Sequence, residues 1–471
     1  ANPQIIYPLG QAHHLTGRQR TPISQLAMSG SGGVFEDLSP TASSGSGDIG
    51  FDVDQLNVPL IDLDALPTSA EDQLAAGLIP TLPEDEDTEG DVQTSGGGGA
   101  VLTAEFTQEV DVRREVDGTK FVNQYKKIAK LAAGALCTVK LYQNSENGQY
   151  VAIKSYHKSR LARLKTYYTD SDGRMAMRTA MDHLQREIDL LSGLTPHENI
   201  CKLLHVMDDE EHHKTYLVFP YYGGGTLMLF DSKNSVFYHH SQTGTRGLEN
   251  GCPTMLNLNA AITYLANAAC GLAHLHLHNI AHRDVKPSNI LLSTSRKRAV
   301  LADLGSAKQF MPCEACSEDG SDATSHENCG GNESGGNTGD GVLRETEGTY
   351  SFFAPEMCRG EPFNAYSADV WALGVTAFST IISLLPFSSS NPKDLFELIG
   401  KYKGEDLPSP KLDEADQNPR LCAHLEIIQT RLQNTHVRKL LQALLNPVAS
   451  LRPSAQEAAD LLLATAKELA N

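Results

Sequence analysis

Residues 282–292 read HRDVKPSNILL. The aspartate, the lysine two residues on and the asparagine five residues on form one compact loop. Asp284 can accept a proton from a hydroxyl, Lys286 can sit beside a migrating phosphoryl group, and Asn289 can hold a metal ion. Soon after comes LADLGSAK, whose Asp303 offers a second metal ligand. Upstream, VAIK (151–154) reads as a β-strand ending in Lys154; downstream follow GTYSFFAPE (348–356), Asp369 in SADVWALG and Arg452 in LRPS. Each piece alone is a common coincidence. The set in this order is not.

The chain around these motifs has two textures. Of 471 residues carrying a net charge of −19, residues 1–110 hold 17 acids against two bases, and Met311–Gly341 hold seven acids and no Lys or Arg. The rest, 37 Lys and Arg against 34 Asp and Glu, is close to neutral. No net basic charge invites nucleic acid or an acidic membrane, and neither is expected as a partner. Residues 1–115, with runs such as SGSGG, SSGSG and SGGGG, cannot repay the entropy of ordering and are expected to be a disordered acidic region. Within it, DIGFDVDQLNVPLIDLDALP alternates apolar and acidic residues, as a solvated linker or a docking segment would. The apolar stretch Trp371–Phe387 falls short of a membrane span and is expected to be a buried core helix. Nine cysteines, an odd count, and a start without a basic and apolar leader suggest reduced thiols and a cytoplasmic, or also nuclear, setting.

From Phe121 onward, KLYQNSENGQYVAIKSY predicts a hairpin around Asn147-Gly148. Helical patterns follow in MDHLQREIDLLSGL, NLNAAITYLANAACGLAHLHLH and SAQEAADLLLATAKEL. Strands first and helices afterwards suggest an α+β chain with a β-rich lobe and a larger α-rich lobe.

The ordered motif set resembles that of the protein kinases. The resemblance covers about residues 121–467 and implies a two-lobed kinase fold: N-lobe about 121–222, C-lobe about 223–467, and an insertion at about 311–345 in the activation segment. It implies a Ser/Thr protein kinase that uses ATP and Mg²⁺. Asp284 would be the catalytic base, Lys286 its Ser/Thr-type companion, Lys154 the phosphate-gripping lysine and Glu187 its helix partner, with Asp189 the competing carboxylate. Asn289 and Asp303 would be the metal ligands, and Thr349 the threonine packed beside the base. Leu131, Ala132, Gly134, Val139, Ala152, Phe219, Tyr222 and Leu291 would complete the nucleotide site with Lys154 and Asp303. Phe219 would be the gatekeeper, and Val139 with Ala152 would sandwich adenine. In LAAGALCTV (131–139), Ala132, Gly134 and Cys137 stand at the three positions of the glycine-rich loop, which predicts weakened nucleotide affinity and a thiol near the phosphates.

In RETEGTY, Thr346 stands where many kinases are phosphorylated, and a phosphate there would pair with Arg283; Glu345 and Glu347 flank it and could partly mimic that charge. The insertion Ser159–Met181, the stretch HENICKLLHVMDDEEHHKTYLVF and the placement of Thr346 are most similar to the calcium/calmodulin-dependent protein kinase kinases. That group implies protein substrates that include activation-loop threonines of other kinases. Thr226 and Ser288, at positions where Arg-directed kinases carry Glu, agree. The chain stops at the domain's last helix, so calmodulin control is not expected. The alternative is a pseudokinase scaffold that binds partners with little catalysis, suggested by the depleted loop and the long insertions. Cys313, Cys316, His326 and Cys329 offer C-x₂-C and H-x₂-C spacings for zinc or redox chemistry, although their glycine-rich surroundings read first as a flexible loop.

Overall fold

The computed structural model describes residues 104–470, apart from 135, 170–174, 233–234, 240–247, 250–251, 254, 311–340 and 409–424. The acidic alternation at 48–67 and the Cys313/Cys316/His326/Cys329 set lie outside the described residues.

The first lobe is a sheet of eight strands: β1 (Glu105–Thr107), β2 (Val112–Arg114), β3 (Lys120–Val122), β4 (Tyr125–Ala133), β5 (Cys137–Asn144), β6 (Tyr150–His157), then β9 (His205–Asp208) and β10 (Lys214–Pro220), in the order β1-β9-β10-β6-β5-β4-β3-β2. Between them lies a separate two-stranded hairpin, β7 (Lys165–Thr169) and β8 (Met175–Thr179). All pairs in the large sheet are antiparallel except β1 with β9. Period-two alternation fixes its two faces. In β6, Val151 and Ile153 are buried on one side, while Ala152 and Lys154 turn to the other. The β5–β6 turn falls at Asn147-Gly148, with Gly148 at φ 75°, where a side chain would be strained.

The ordered chain starts earlier than the change in composition at Phe121. β1 and β2 lie inside the stretch expected to be disordered up to 115. Each is three residues long and too short to show alternation. Pairing of Phe106 with Val206 and of Arg113 with Phe121 orders them, and the Arg113 guanidinium also lies 4.7 Å from the Phe121 ring centre.

The insertion at 159–181 folds as helix α1 (Lys158–Arg163) followed by the β7–β8 hairpin, which runs directly into α2 (Ala180–Gly193). The junction is a capping box. Thr179 Oγ1 accepts from the Asp182 N–H, and an Asp182 carboxylate oxygen accepts from the Thr179 N–H at 2.6 Å. One face of α2 is buried through Leu184, Glu187, Ile188 and Leu190.

The second lobe is helical: α3 (Leu258–Leu277), α4 (Pro355–Cys358), α5 (Ala365–Ile382), α6 (Pro392–Gly400), α7 (Leu425–Gln433), α8 (Thr435–Leu444) and α9 (Ala455–Ala470). The sequence patterns at 181–194, 257–278 and 454–469 match α2, α3 and α9 to within a residue at each end. By length and apolar composition α5 is long enough to cross a bilayer. Here it is the centre of the lobe, with Trp371 and Phe378 fully buried. It ends at Ser383, which is left-handed at φ 65°.

A short loop, 195–201, ties α2 to this second lobe. Asn199 donates from Nδ2 to the Ala299 carbonyl, and its own carbonyl accepts from the Leu301 N–H. A Cβ at Gly271 on α3 would lie 2.4 Å from that same Asn199 carbonyl oxygen, so only glycine allows this contact. The loop therefore fixes α2 relative to the strand Ala299–Leu301 and to Asp303 just beyond it.

Candidate functional site

Lys154 leaves the underside of β6 and meets two carboxylates. Its Nζ lies 2.9 Å from Asp303 Oδ1 and 3.4 Å from Glu187 Oε1. Asp189, the competing acid on α2, is exposed and accepts instead from Gln185 Nε2 at 2.9 Å. Burial opposes the Lys154 charge, but Asp303 and Glu187 outweigh it and hold the amine well above its ordinary value. Lys154 in turn pulls the Asp303 carboxyl down to about 2. Burial raises Glu187, which sits farther from the shared cation. Asp303 is held at φ 68°, an uncommon conformation for a residue with a side chain.

The loop at 282–289 is hung from Asp369 on α5. Its carboxylate accepts from the N–H of His282 at 2.8 Å and of Arg283 at 2.7 Å, and lies 2.9 Å from His276 Nε2. Arg283 adopts φ 65° to make this turn. His282 is fully buried, with Nε2 against the Ala302 carbonyl and Nδ1 accepting from the Asp284 N–H. Asp284 is then gripped from both sides. Oδ1 accepts from Thr349 Oγ1 at 2.8 Å, while Oδ2 faces Lys286 Nζ at 2.8 Å and Asn289 Nδ2 at 3.1 Å. Lys286 also donates to Thr349 Oγ1 at 2.9 Å. Thr349 can come this close because Gly348, at φ 108°, passes over the Arg283 carbonyl; a Cβ there would lie 2.4 Å from that oxygen.

Strand register puts the remaining residues on one cleft-facing side. Val139 is paired with Lys154 and Ala132, and Ala152 with Leu141 and Phe219; directly paired residues share a face. Phe219 belongs to an apolar cluster that also touches Leu291, Tyr222 and Cys137, and its ring centre is 5.3 Å from Lys154 Nζ. Leu131 packs apart from these, against Ala129 and Leu141. The Gly134 N–H donates to the Cys137 carbonyl at 2.8 Å, closing the β4–β5 turn on itself. The Cys137 thiol is expected near the phosphates; its pairing with Tyr156 sets it on the Lys154 face of the sheet, within the electrostatic reach of Lys154, Asp303 and Glu187, and it packs in the cluster beneath α2. Burial there pushes the thiol up, away from reactivity.

The residues fit a hard divalent cation. Asn289 commits its amide nitrogen to Asp284, at 2.9 Å from the backbone oxygen and 3.1 Å from Oδ2, which leaves its oxygen as the ligand atom. Asp303 is ionised at any ordinary pH. One carboxylate and one amide oxygen, with no sulfur or imidazole ligand between them, suit Mg²⁺.

One arrangement was not legible in the sequence. Arg452 and Glu356 pair by two contacts of 2.7 Å in a buried position beneath Trp371. They lie 96 residues apart along the chain, and no local pattern announces such a pair. Glu347, which the sequence offered as a partial mimic of a Thr346 phosphate, contacts Arg283. Thr346, between Glu345 and Glu347, is half-buried.

Residues 125–461 match the protein kinase domain model. Among curated proteins, the serine/threonine-protein kinase GRIK1 of Arabidopsis thaliana is 29% identical over 67% of this chain and 64% of its own length. The calcium/calmodulin-dependent protein kinase kinase of Caenorhabditis elegans is 28% identical over 56% of this chain and 42% of its own. SNF1-activating kinase 1 of Saccharomyces cerevisiae is 28% identical over 64% of this chain and 25% of its own. The chain thus spans less than two thirds of the length of each of these relatives.

Proposed function

Because this chain belongs to the protein kinase family, we propose that it transfers the γ-phosphoryl group of ATP to serine and threonine hydroxyls of proteins. The observation that carries this reading is the closed triangle of Asp284, Lys286 and Thr349. An acceptor hydroxyl arriving at Asp284 finds a carboxylate already oriented by three donors and able to take its proton. Lys286, beside it, faces the phosphoryl group in flight. Lys154, held by Glu187 and Asp303, is placed to receive the nucleotide's phosphates, with Val139 and Ala152 above the base and Leu291 below. Mg²⁺, brought with ATP and held by Asn289 and Asp303, would neutralise charge on the phosphates.

The pseudokinase alternative rests on the loop of Ala132, Gly134 and Cys137. That loop weakens a lid; it removes none of the groups at Asp284 or Lys154.

The substrate class we propose is the activation-segment threonine of other kinases. Two relatives carry names that describe kinases acting on kinases. Thr226 and Ser288 supply no carboxylate to select arginine upstream of the acceptor. The test is incubation with ATP and Mg²⁺ and a catalytically dead recipient kinase, followed by site mapping. Phosphothreonine in the recipient's activation segment supports the substrate class; label only on a basic peptide with Arg upstream of the acceptor contradicts it.

A further inference from the structure

The kinase reading leaves one charged cluster unused. Arg283, in the loop that carries Asp284, has a side chain only 9% exposed, and the group it contacts is Glu347 of the activation segment. The Arg283 Nε and Nη2 and the Arg186 Nη2 are buried without a hydrogen bond among the described residues; Arg283 Nη2 meets Glu347 as an ion pair. Glu347 also acts electrostatically on His183 and Arg186 of α2 and on Lys308, which follows Asp303, and Arg178 of β8 belongs to the same neighbourhood. Cationic or titratable groups from the insertion hairpin, α2, the catalytic loop and the strand after Asp303 thus gather around Glu347, which contacts Arg283; Asp182 also acts on Arg186. Like charges gathered in a desolvated place repel one another unless an anion sits among them. Glu345, two residues earlier, is exposed and acts on Lys308.

We propose that Glu347 is a positioning residue: its carboxylate is the resident anion that pairs with Arg283 and offsets the charge of Arg186 and His183 on α2, so that the active arrangement does not require a phosphate on Thr346. The inference rests on the kinase reading and changes one expectation attached to it. Thr346 was expected to carry the phosphate that pairs with Arg283, but that guanidinium already has a carboxylate. The connection runs directly to the chemistry. Gly348 follows Glu347 and crosses the Arg283 carbonyl, and Thr349 follows Gly348 and donates to Asp284. On the other side, α2 carries both Arg186 and Glu187, so the anion that gathers Arg186 also keeps Glu187 turned toward Lys154. A phosphate added at Thr346 would augment a site that is already filled.

The test uses the full chain, treated with a phosphatase and checked by mass to be unmodified at Thr346, together with Thr346→Ala, Glu347→Gln and Glu347→Asp. The unmodified protein and Thr346→Ala keep kcat within about threefold of the untreated chain. Glu347→Gln lowers kcat at least tenfold with KM for ATP little changed, and Glu347→Asp retains more activity than Glu347→Gln. Amide hydrogen exchange gives a readout that does not depend on turnover: Glu347→Gln speeds exchange in 180–190 and 280–286, and Thr346→Ala does not. A tenfold fall in Thr346→Ala or on phosphatase treatment, or a Glu347→Gln protein unchanged in both rate and exchange, overturns the proposal. Absence of transfer by every form, the untreated chain included, sinks the kinase reading instead and leaves hydrogen exchange to decide the role of Glu347.

Discussion

Lys154 Nζ lies closer to Asp303, at 2.9 Å, than to its helix partner Glu187, at 3.4 Å. One cation therefore joins the sheet, α2 and the segment after Ala302. Its removal leaves Glu187, 5% exposed, as a buried carboxylate without its counter-ion. Lys154→Met is expected to lower kcat for phosphoryl transfer at least a hundredfold, a loss of about 3 kcal/mol in transition-state stabilisation. Initial rates at saturating ATP check this, and a rate within threefold of wild type contradicts it.

The same pair sets a pH dependence. Asp303 is depressed to about 2, so its contribution to stability is complete above the ordinary carboxylate range and is lost only as pH falls through about 2. Lys154 is raised, so its contribution is complete below the ordinary amine value and is lost only far into the alkaline range. In the wild type neither changes protonation between about pH 5 and 8. Burial already raises Glu187, and Lys154→Met removes the cation that opposes that shift, so the variant must ionise a stranded carboxylate and the difference in Tm should widen as pH rises above the ordinary carboxylate range. Calorimetry at several pH values measures it; a gap that stays flat from about pH 4 to about pH 8 contradicts the assignment.

Arg452 and Glu356 form a two-pronged ion pair, with the arginine side chain fully buried and the glutamate 7% exposed. Glu356→Gln leaves a buried guanidinium without its counter-charge, at a cost of about 3–5 kcal/mol. Urea unfolding should show the midpoint falling with the slope unchanged. The double variant Glu356→Gln/Arg452→Met should recover part of the loss, since the stranded charge is then gone.

Cys137 stands where the glycine-rich loop has its third glycine, and the turn there is closed by the Gly134 N–H on the Cys137 carbonyl. Cys137→Gly restores backbone freedom and should lower KM for ATP by about two- to fivefold with kcat little changed. An unchanged KM means that the departure is harmless. Wild-type Cys137 should also react with iodoacetamide more slowly than a free thiol, because burial keeps it protonated.

Much of this architecture was readable from the chain because it is local. The period-two pattern of VAIK, the Asn147-Gly148 turn and the periodic helices α2, α3 and α9 each depend on residues a few positions apart. The loop at 282–289 and Asp303 were readable for the same reason. What escaped is non-local. The strands β1 and β2 exist only because distant strands pair with them. The Arg452–Glu356 pair draws on separate elements, and charge spacing along the chain does not say that these two will meet; Glu347 was offered as a phosphate mimic for Arg283, but its neighbours on α2 were not foreseen. Cys137 lies on the same face of the sheet as Val139 and Lys154, beside the Lys154–Asp303–Glu187 group, as its place in the loop suggested; what the sequence did not show is its burial in the apolar cluster beneath α2.

Asp284, oriented by Thr349, Lys286 and Asn289, is the carboxylate on which the proposed phosphoryl transfer depends. The most direct measurement is single-turnover transfer from γ-labelled ATP, at matched nucleotide occupancy, by wild type and by Asp284→Asn. The account predicts that both proteins bind Mg²⁺-ATP with similar affinity and that only wild type transfers label at a useful rate, with the variant slower by at least about a hundredfold. Equal transfer by the two, or saturable binding without transfer by wild type, would contradict it.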